Sequence, residues 1–576
     1  MVFKIADNII SPLGFTSEQN YLAVKSGKSA LAPHNLQGLQ EKVYASLFSD
    51  GERDSLQVEG LSRFESLVFR SARQALDEIG GQFDLTGKDV VFVLGTTKGN
   101  IENLGKDTED DAVLPGESAR RICSRLGITT TPIVVCNACI SGLNSIILAS
   151  KLLESGAFKY AVVCGADVLG KFIISGFQAL KTLSEEACRP FDIERCGMNL
   201  GEAAATMVLS AVPADGNSWS IDAGAVRNDA HNITAPSPKG DGAGLAISEV
   251  LEGFDIQRLA LVNAHGTSSL FMDQMESVAL ERAGLADVPA NSLKGYFGHT
   301  LGAAGILETI VTMKALEEDL ILGTKGFEEI GVSSPIRISP DSVPAGGKKS
   351  FVKTVSGFGG ANAAILACCD PDKTDKKSST LDFIQTHTVK ITASEVIVDG
   401  TALPHPESIS GKELLSFLYK EKVGGYPQFY KMDLMTRLGF IASELLLEAE
   451  GRERFAGTDS RAVILFNRSS SLTTDRKYLE TISEDNYFPS PSLFVYTLPN
   501  IITGEIAIRN KYNGETSFHI LPEKDMDLIK NVLKAALGDR KTQSVISGWI
   551  DCYGKTRFEA ELFIAEKKKN DYEREN

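Results

Sequence analysis

The sequence predicts an α/β protein built on mainly parallel sheet, with its chemistry gathered at strand ends. Three observations carry that reading. Short β-branched strands alternate with helical stretches long enough to cross over a sheet. Cys139, His265, His299 and Phe358 each fall at the carboxyl end of a strand, where open α/β sheets collect active groups. The 576 residues, 43% hydrophobic and 23% charged, are soluble globular material for about two to four units.

In chain order, residues 1–50 give a short strand, a turn at Ser11-Pro-Leu-Gly14, and a helix ending near Ser26–Ser29. A helix is expected from Arg63 to Ile79, then a strand at Val90–Leu94 closed by Gly95-Thr-Thr-Lys-Gly99. Ile133-Val-Val135 reads as a buried strand, and helical spacing begins at about Ile140 and runs through Leu153. Cys139 lies at that junction, with Ser141 and Gly142 opening the helix. A thiol there faces unsatisfied N–H groups and the positive end of the helix dipole, which predicts a lowered pKa and a nucleophile. Cys136, one turn earlier, reads as core. Tyr160–Asp167 is the next strand, and Arg189-Pro-Phe-Asp192 and Gly197–Glu202 lead into Ala205–Leu209. After a polar, glycine-rich stretch at 215–244 a second series begins. Leu259–Thr267 ends in His265, Lys294 and His299 precede the small-residue helix start Gly302-Ala-Ala-Gly305, and Phe351–Gly360 turns into the strand Ala363–Cys369.

Composition limits the partners. A net charge of −16 argues against nucleic acid or an anionic membrane. The nine cysteines are scattered as reduced thiols are, with neither a disulfide framework nor a zinc pattern, and no metal site is expected. The N-terminal residues carry no signal-peptide pattern, and the most apolar window, 133–153, is broken by Asn137, Asn144 and serines. A cytoplasmic protein is expected.

Residues 1 to about 370 resemble the decarboxylating β-ketoacyl-(acyl carrier protein) synthases of the thiolase superfamily. The residues that carry the resemblance are Ser11–Gly14, Asn137-Ala-Cys139-Ile-Ser-Gly142, Arg189–Asp192, and Asn263-Ala-His265-Gly-Thr267 with Asp273 and Glu276. Lys294, Gly298-His299, Gly302–Gly305, Glu308 and Gly357-Phe-Gly-Gly360 complete them. Each motif alone is weak; together, in this order and spacing, they are specific. The resemblance implies αβαβα layers from two pseudo-repeated halves, 1–215 with the cysteine and 216–370 with both histidines. It departs from the family at Ile140, where alanine is commoner, at Cys196 and at Ala203; Ile140 is expected to narrow the acyl pocket.

The resemblance also implies roles. Cys139 would take the acyl chain from the phosphopantetheine of an acyl carrier protein, splitting one hard step into two. The backbone N–H groups of Cys139 and Phe358 would form the oxyanion hole, worth roughly 3 kcal/mol each. His265 and His299 would stabilise the enolate left by malonyl decarboxylation. Lys294 would adjust the site's electrostatics, Glu308 would support it from behind, and Thr267 and Ser269 would bind the pantetheine arm. No cofactor is implied beyond the carrier's own arm. The carrier is expected to dock near Arg63 and Arg70, with Arg73 on the same helix. A homodimer, or pairing with a second ketosynthase-like subunit, is expected. His34, His231, His387, His405 and His519 read as structural.

A polar segment at 371–387 reads as a linker, and 388–567 repeats the first half. The stretch from Tyr430 to Leu447 parallels the Arg63–Ile79 helix, Arg461–Phe466 parallels the Val90 strand, and Asp525–Leu537 with Val545–Asp551 parallels the helix after Cys139 and its following strand. The nucleophile's place falls near Leu521-Pro-Glu523, where no cysteine stands. The segment therefore reads as a degenerate, non-catalytic thiolase-like third half, with an unrelated α/β domain as the other reading. It is followed by a charged tail, 568–576. Removing this module is expected to leave Cys139 competent, and the module alone to expose apolar surface. Two functions remain. One is a β-ketoacyl synthase of fatty-acid, polyketide or aryl-polyene type; the other is a non-catalytic, chain-length-factor-like pairing subunit. The presence of Cys139 with both histidines favours the enzyme.

Overall fold

The same five-strand order is laid down three times along the chain. It is seen in a computed structural model that describes residues 1–576 except 37–38, 40–41, 107–109, 213–217, 370–381, 484, 486, 554–556 and 569–576. Most of the expected linker and of the charged tail lies outside the described residues.

The first copy comprises β1 (Val2–Ile10), α1 (Arg63–Ile79), β2 (Val90–Gly95), α2 (Pro115–Leu126), β3 (Ile133–Val135), α3 (Ser141–Glu154), β4 (Tyr160–Asp167) and β5 (Ala203–Ser210). Its sheet runs β3-β2-β4-β5-β1. The second comprises β6 (Ser220–Asn228), α4 (Asp241–Val250), β7 (Leu261–Asn263), α5 (Leu270–Arg282), β8 (Pro289–Asn291), α6 (Ala304–Glu317), β9 (Ser350–Gly357) and β10 (Ala361–Cys368). Its sheet runs β8-β7-β9-β10-β6. The third comprises β11 (Phe383–Thr392), α7 (Leu434–Glu450), β12 (Arg461–Asn467), α8 (Ile501–Asn510), β13 (Thr516–Ile520), α9 (Met526–Leu537), β14 (Ser544–Tyr553) and β15 (Arg557–Lys567), ordered β13-β12-β14-β15-β11.

Local sequence explains the shared plan. Helices α1 and α7 are both 17 residues long; Ser62 and Asp433 cap their N-termini, and Gly80 and Gly451 end them at φ 62° and 67°. Asp167 at the end of β4 accepts from Thr96 Oγ1 at 2.8 Å and from the Thr97 amide; Asp551 at the end of β14 does the same for Ser469. Helices α3 and α6 are apolar almost all round because they lie between the first two sheets, inside one continuous core. Helices α1 and α2 cover the outer face of the first sheet, α4 and α5 that of the second. The layering is αβαβα.

The third sheet joins the first edge to edge. Strand β13 pairs antiparallel with β3 (His519 opposite Val135, Ile520 opposite Val134), and the Cys136 amide donates to Phe518 O at 3.0 Å. The two sheets are thus continuous, and the β3 edge is paired within the chain. One expectation changes here. Phe383, inside the segment read as linker, belongs to β11 and pairs with Lys567; its neighbours Ile384, Gln385 and Thr386 are exposed, and that polar, exposed edge concealed the strand. The module's apolar residues share cores with the first two copies, as expected of a half that needs covering. Helix α9, the counterpart of α3, turns the exposed Asp527 and Lys530 and the half-buried Lys534 outward, while Lys390, Lys524 and Glu561 make ion pairs over the sheet. Among the described residues no helix is long and apolar enough to cross a membrane.

Candidate active site

Beyond β3 the backbone makes a strained turn. Ala138 is left-handed at φ 50°, Ala138–Ile140 form one tight helical turn, and α3 starts at Ser141. Ser141 Oγ accepts from the Asn137 amide at 2.8 Å and donates to Ala138 O at 2.6 Å, which ties the turn to the helix start. The second half repeats this device with Leu301 at φ 51°, a turn at Leu301–Ala303 and α6 from Ala304, so that Gly302 stands where Cys139 stands. The two turns pack back to back; a Cβ on Gly142 would collide with Gly302 O. In the third copy Leu521-Pro-Glu523 occupies this place, with no left-handed residue, and Asp525 caps α9 instead.

The imidazoles come from two loops of the second half. Glu276 on α5 accepts from the His265 and Gly266 amides at 2.7 and 2.8 Å, and Asp273 accepts from Thr267, Ser268 and Phe191. The acidic pair named in the sequence is therefore the anchor of the His265–Ser268 loop. The His299 amide donates to Asn199 O at 2.7 Å. The two rings meet edge to face, 5.2 Å apart at 82°. His265 Nδ1 and both ring nitrogens of His299 are buried without a partner. Burial, and then Lys294, hold both rings well below the usual 6.5, with Lys353 adding to the effect, so both are neutral.

Under the histidines lies a charged cluster that the motifs revealed only in part. Glu308 binds Lys294 through Oε1 and Lys353 through Oε2, each at 2.5 Å, and all three groups are at most 1% exposed. Burial works against the Glu308 carboxylate, but Lys294 and Lys353 hold it below its ordinary range. Lys353 was missed, although a lysine within the apolar run Phe351–Val355 was the signal that could have found it.

Cys139 is partly exposed and lines a cavity of about 40 Å³ shared with His265, His299, Thr267 and Phe358. The sequence expectation of a lowered thiol pKa is reversed. Burial, and next the Asp167 carboxylate, push it up to about 12 against the pull of Lys294. Gly357 passes so close that a Cβ on it would lie 3.1 Å from the Cys139 amide nitrogen, which sets the Phe358 loop beside Cys139. Thr267 and Ser269 share a hydroxyl hydrogen bond at 3.0 Å near the mouth.

On its other side Cys139 opens to a second cavity, about 20 Å³, bounded by Ile173, Phe177, Leu301 and Phe358 and by Phe494 and Leu498 of the third copy. Phe177 stacks on Phe358 at 6.3 Å and meets Phe494 at 5.4 Å. Ile140, expected to narrow this space, is fully buried in the core and does not line it. The third copy touches the site elsewhere too. Asn500 Nδ2 donates to Phe358 O at 2.8 Å, Asn137 Nδ2 to Thr516 O at 2.8 Å, and Lys98 Nζ to buried Asp475 at 2.5 Å. The module thus supplies part of the pocket wall and a hydrogen bond to the Phe358 loop. Of the expected docking residues, Arg63 pairs with Glu102 and Glu202, and Arg70 donates through Nε and one terminal nitrogen to the Leu56 and Gln57 carbonyls. Among the described residues no group of three or more His, Cys, Asp or Glu side chains is placed to hold a metal.

Known proteins match this architecture. The chain is 31% identical over 279 residues to a putative mitochondrial 3-oxoacyl-[acyl-carrier-protein] synthase of Schizosaccharomyces pombe, covering 44% of this chain and 65% of that one. It is 26% identical over 401 residues to 3-oxoacyl-[acyl-carrier-protein] synthase 2 of Vibrio harveyi, covering 62% and 96%. Among solved folds, a ketosynthase in complex with its chain length factor from Xenorhabdus doucetiae covers 64% of this chain and 98% of that one, with a TM-score of 0.56 at 23% identity. A PfaC ketosynthase–chain length factor covers 98% of this chain and 78% of that one, with a TM-score of 0.78 at 14% identity. The family models for the N-terminal and C-terminal domains of β-ketoacyl synthase match residues 27–213 and 220–328, over half of the sequence, and the chain belongs to the β-ketoacyl synthase family of acyl-transferring enzymes.

Proposed function

We propose that the chain performs decarboxylative condensation. Cys139 takes an acyl group from a carrier thioester, and malonyl thioester, after losing CO₂, attacks it. The observation that carries this is the set of three unpartnered, buried imidazole nitrogens on two neutral rings that share one cavity with Cys139. In the first step the S–acyl bond forms on Cys139 and the pantetheine thiol leaves. Because the thiol is not ionised at rest, its proton passes to a neighbouring neutral imidazole as the bond forms and from there to the departing pantetheine sulfur, which leaves the ring neutral again. The Cys139 and Phe358 amides receive the tetrahedral oxyanion. In the second step the malonyl C–CO₂ bond breaks, and N–H groups of His265 and His299 donate to the enolate oxygen. The enolate carbon then bonds to the acyl carbon, and Cys139 sulfur departs. Lys294 and Glu308 hold the rings in place, and Thr267 with Ser269 lines the route of the pantetheine arm.

The third copy serves as a built-in partner. The likeness to folds described as ketosynthase with chain length factor supports this reading, as do Phe494 and Leu498 in the wall behind Cys139. The non-catalytic, chain-length-setting role thus falls to this module, and the catalytic role to residues 1–369. A small pocket closed by three phenylalanines suits short acyl groups and a specialised rather than a housekeeping product. The test is CO₂ release from malonyl carrier thioester: His299→Ala should still load an acyl group on Cys139 but release CO₂ at least a hundredfold more slowly. Undiminished CO₂ release would exclude the imidazole role.

A further inference from the structure

We propose that Lys353 is a positioning residue for the reaction, tying Glu308 to the strand end that carries His265 and leaving one surplus positive charge beneath the two imidazoles. This inference rests on His265 and His299 as the decarboxylating pair.

The geometry accounts for all three ammonium hydrogens. Lys353 stands on β9 in register with Asn263 of the parallel neighbour β7. Its Nζ donates to Glu308 Oε2, to Ala264 O at 3.2 Å and to Asn263 O at 3.4 Å. Ala264 is the residue before His265, so the lysine bridges the histidine's own strand end to the carboxylate that Lys294 holds from the other side. Charge balance alone does not call for it. Lys294 already neutralises Glu308, and a second wholly buried lysine tips the cluster from neutral to positive. A positive surplus opposes protonation of nearby rings, and a neutral imidazole donates to a developing enolate without first giving up a cation.

The other titratable groups around the rings come from every neighbouring element: Cys139 before α3, Asp167 at the end of β4, Asp229 after β6, and Asp273 and Glu276 on α5. Asp273 is pushed up by burial to about 7 and is engaged by three backbone amides; both oxygens of Glu276 serve the His265–Gly266 backbone. Burial lowers Lys353 itself to about 8, with Lys294 lowering and Glu308 raising it, so it is charged throughout the acidic range where the rings would otherwise gain protons.

Two readouts on the full chain test this. One is the pH profile of CO₂ release from malonyl carrier thioester between pH 5 and 8. The other is the NMR titration of ¹³C-labelled histidine rings without substrate. Lys353→Met should move both the acid limb and the ring titrations upward by about one pH unit, a tenfold effect, while Lys353→Arg keeps the wild-type values. A folded Lys353→Met protein with unshifted limb and rings overturns the proposal. If that variant does not fold, Glu308→Gln decides, since removing the carboxylate enlarges the surplus and should push the ring titrations lower still; unchanged or raised values overturn it. Wild-type protein that releases no CO₂ would instead remove the functional reading, and the ring titrations would still judge Lys353.

Discussion

Replacing Phe494 by alanine should lengthen the acyl chain that Cys139 accepts. The ring is 4% exposed and stands 5.4 Å from Phe177 and 5.3 Å from Tyr478, and a Cβ on Gly176 would overlap it, so nothing else fills the space it leaves. An empty cavity from such a change costs about 3–5 kcal/mol of stability. An acyl chain that enters it recovers about 0.8 kcal/mol per buried methylene. Four methylenes, about the length of the lost ring, give about 3 kcal/mol, or roughly a hundredfold in preference. The assay is intact-mass measurement of Cys139 acylation by carrier thioesters of two to twelve carbons. The variant should shift its longest efficient primer upward by about four carbons and, while empty, unfold at lower temperature than the wild type. A folded variant with an unchanged chain-length profile would refute the assignment of the module as the pocket's far wall.

Asn500→Ala removes the module's hydrogen bond to Phe358 O. Loss of about 1 kcal/mol at the loop beside the nucleophile should slow acylation roughly fivefold to tenfold with the melting temperature little changed, measured by single-turnover loading. The histidines predict a pH dependence. Both rings are held well below 6.5, so CO₂ release should keep its rate as pH falls from about 7.5 to about 6, where an ordinary imidazole would already be losing its neutral form. The sign for stability is the reverse of a salt-bridged histidine. Below about 6.5 the unfolded chain binds protons that the folded rings refuse, so their contribution to stability declines as pH falls, which denaturant titrations at pH 7.5 and 5.5 would measure.

Much of the fold was legible because its signals are local. The third segment was readable as a repeat of the first from its strands and helices, and counting back from Asp551 placed the counterpart of Cys139 near 521–523, where no cysteine stands. Cys139, His265 and His299 stood in motifs whose small neighbours now explain themselves, Gly142 by its contact with Gly302 O. What was misread is tertiary. The thiol's charge state depends on burial and on Asp167, far from it in sequence, and not on the helix end alone. The pairing of Arg63 with Glu202, on another loop, is likewise a tertiary contact. Pairing of β13 with β3 joins residues as distant as Val135 and His519, and no side-chain pattern announces which edge a strand will choose. For the same reason Asn500, Phe494 and Leu498 gave no sign of serving a cysteine in the first half.

The central claim, one nucleophile serving a site that two catalytic halves and a silent third half build together, is tested most directly by mapping the covalent acyl group. The full chain is incubated with an acyl carrier thioester, digested, and its peptides weighed. The acyl mass should sit on the peptide bearing Cys139 alone, and Cys139→Ser should abolish it. An acyl adduct on Cys136, on Cys164, or anywhere in residues 382–568 would contradict the account.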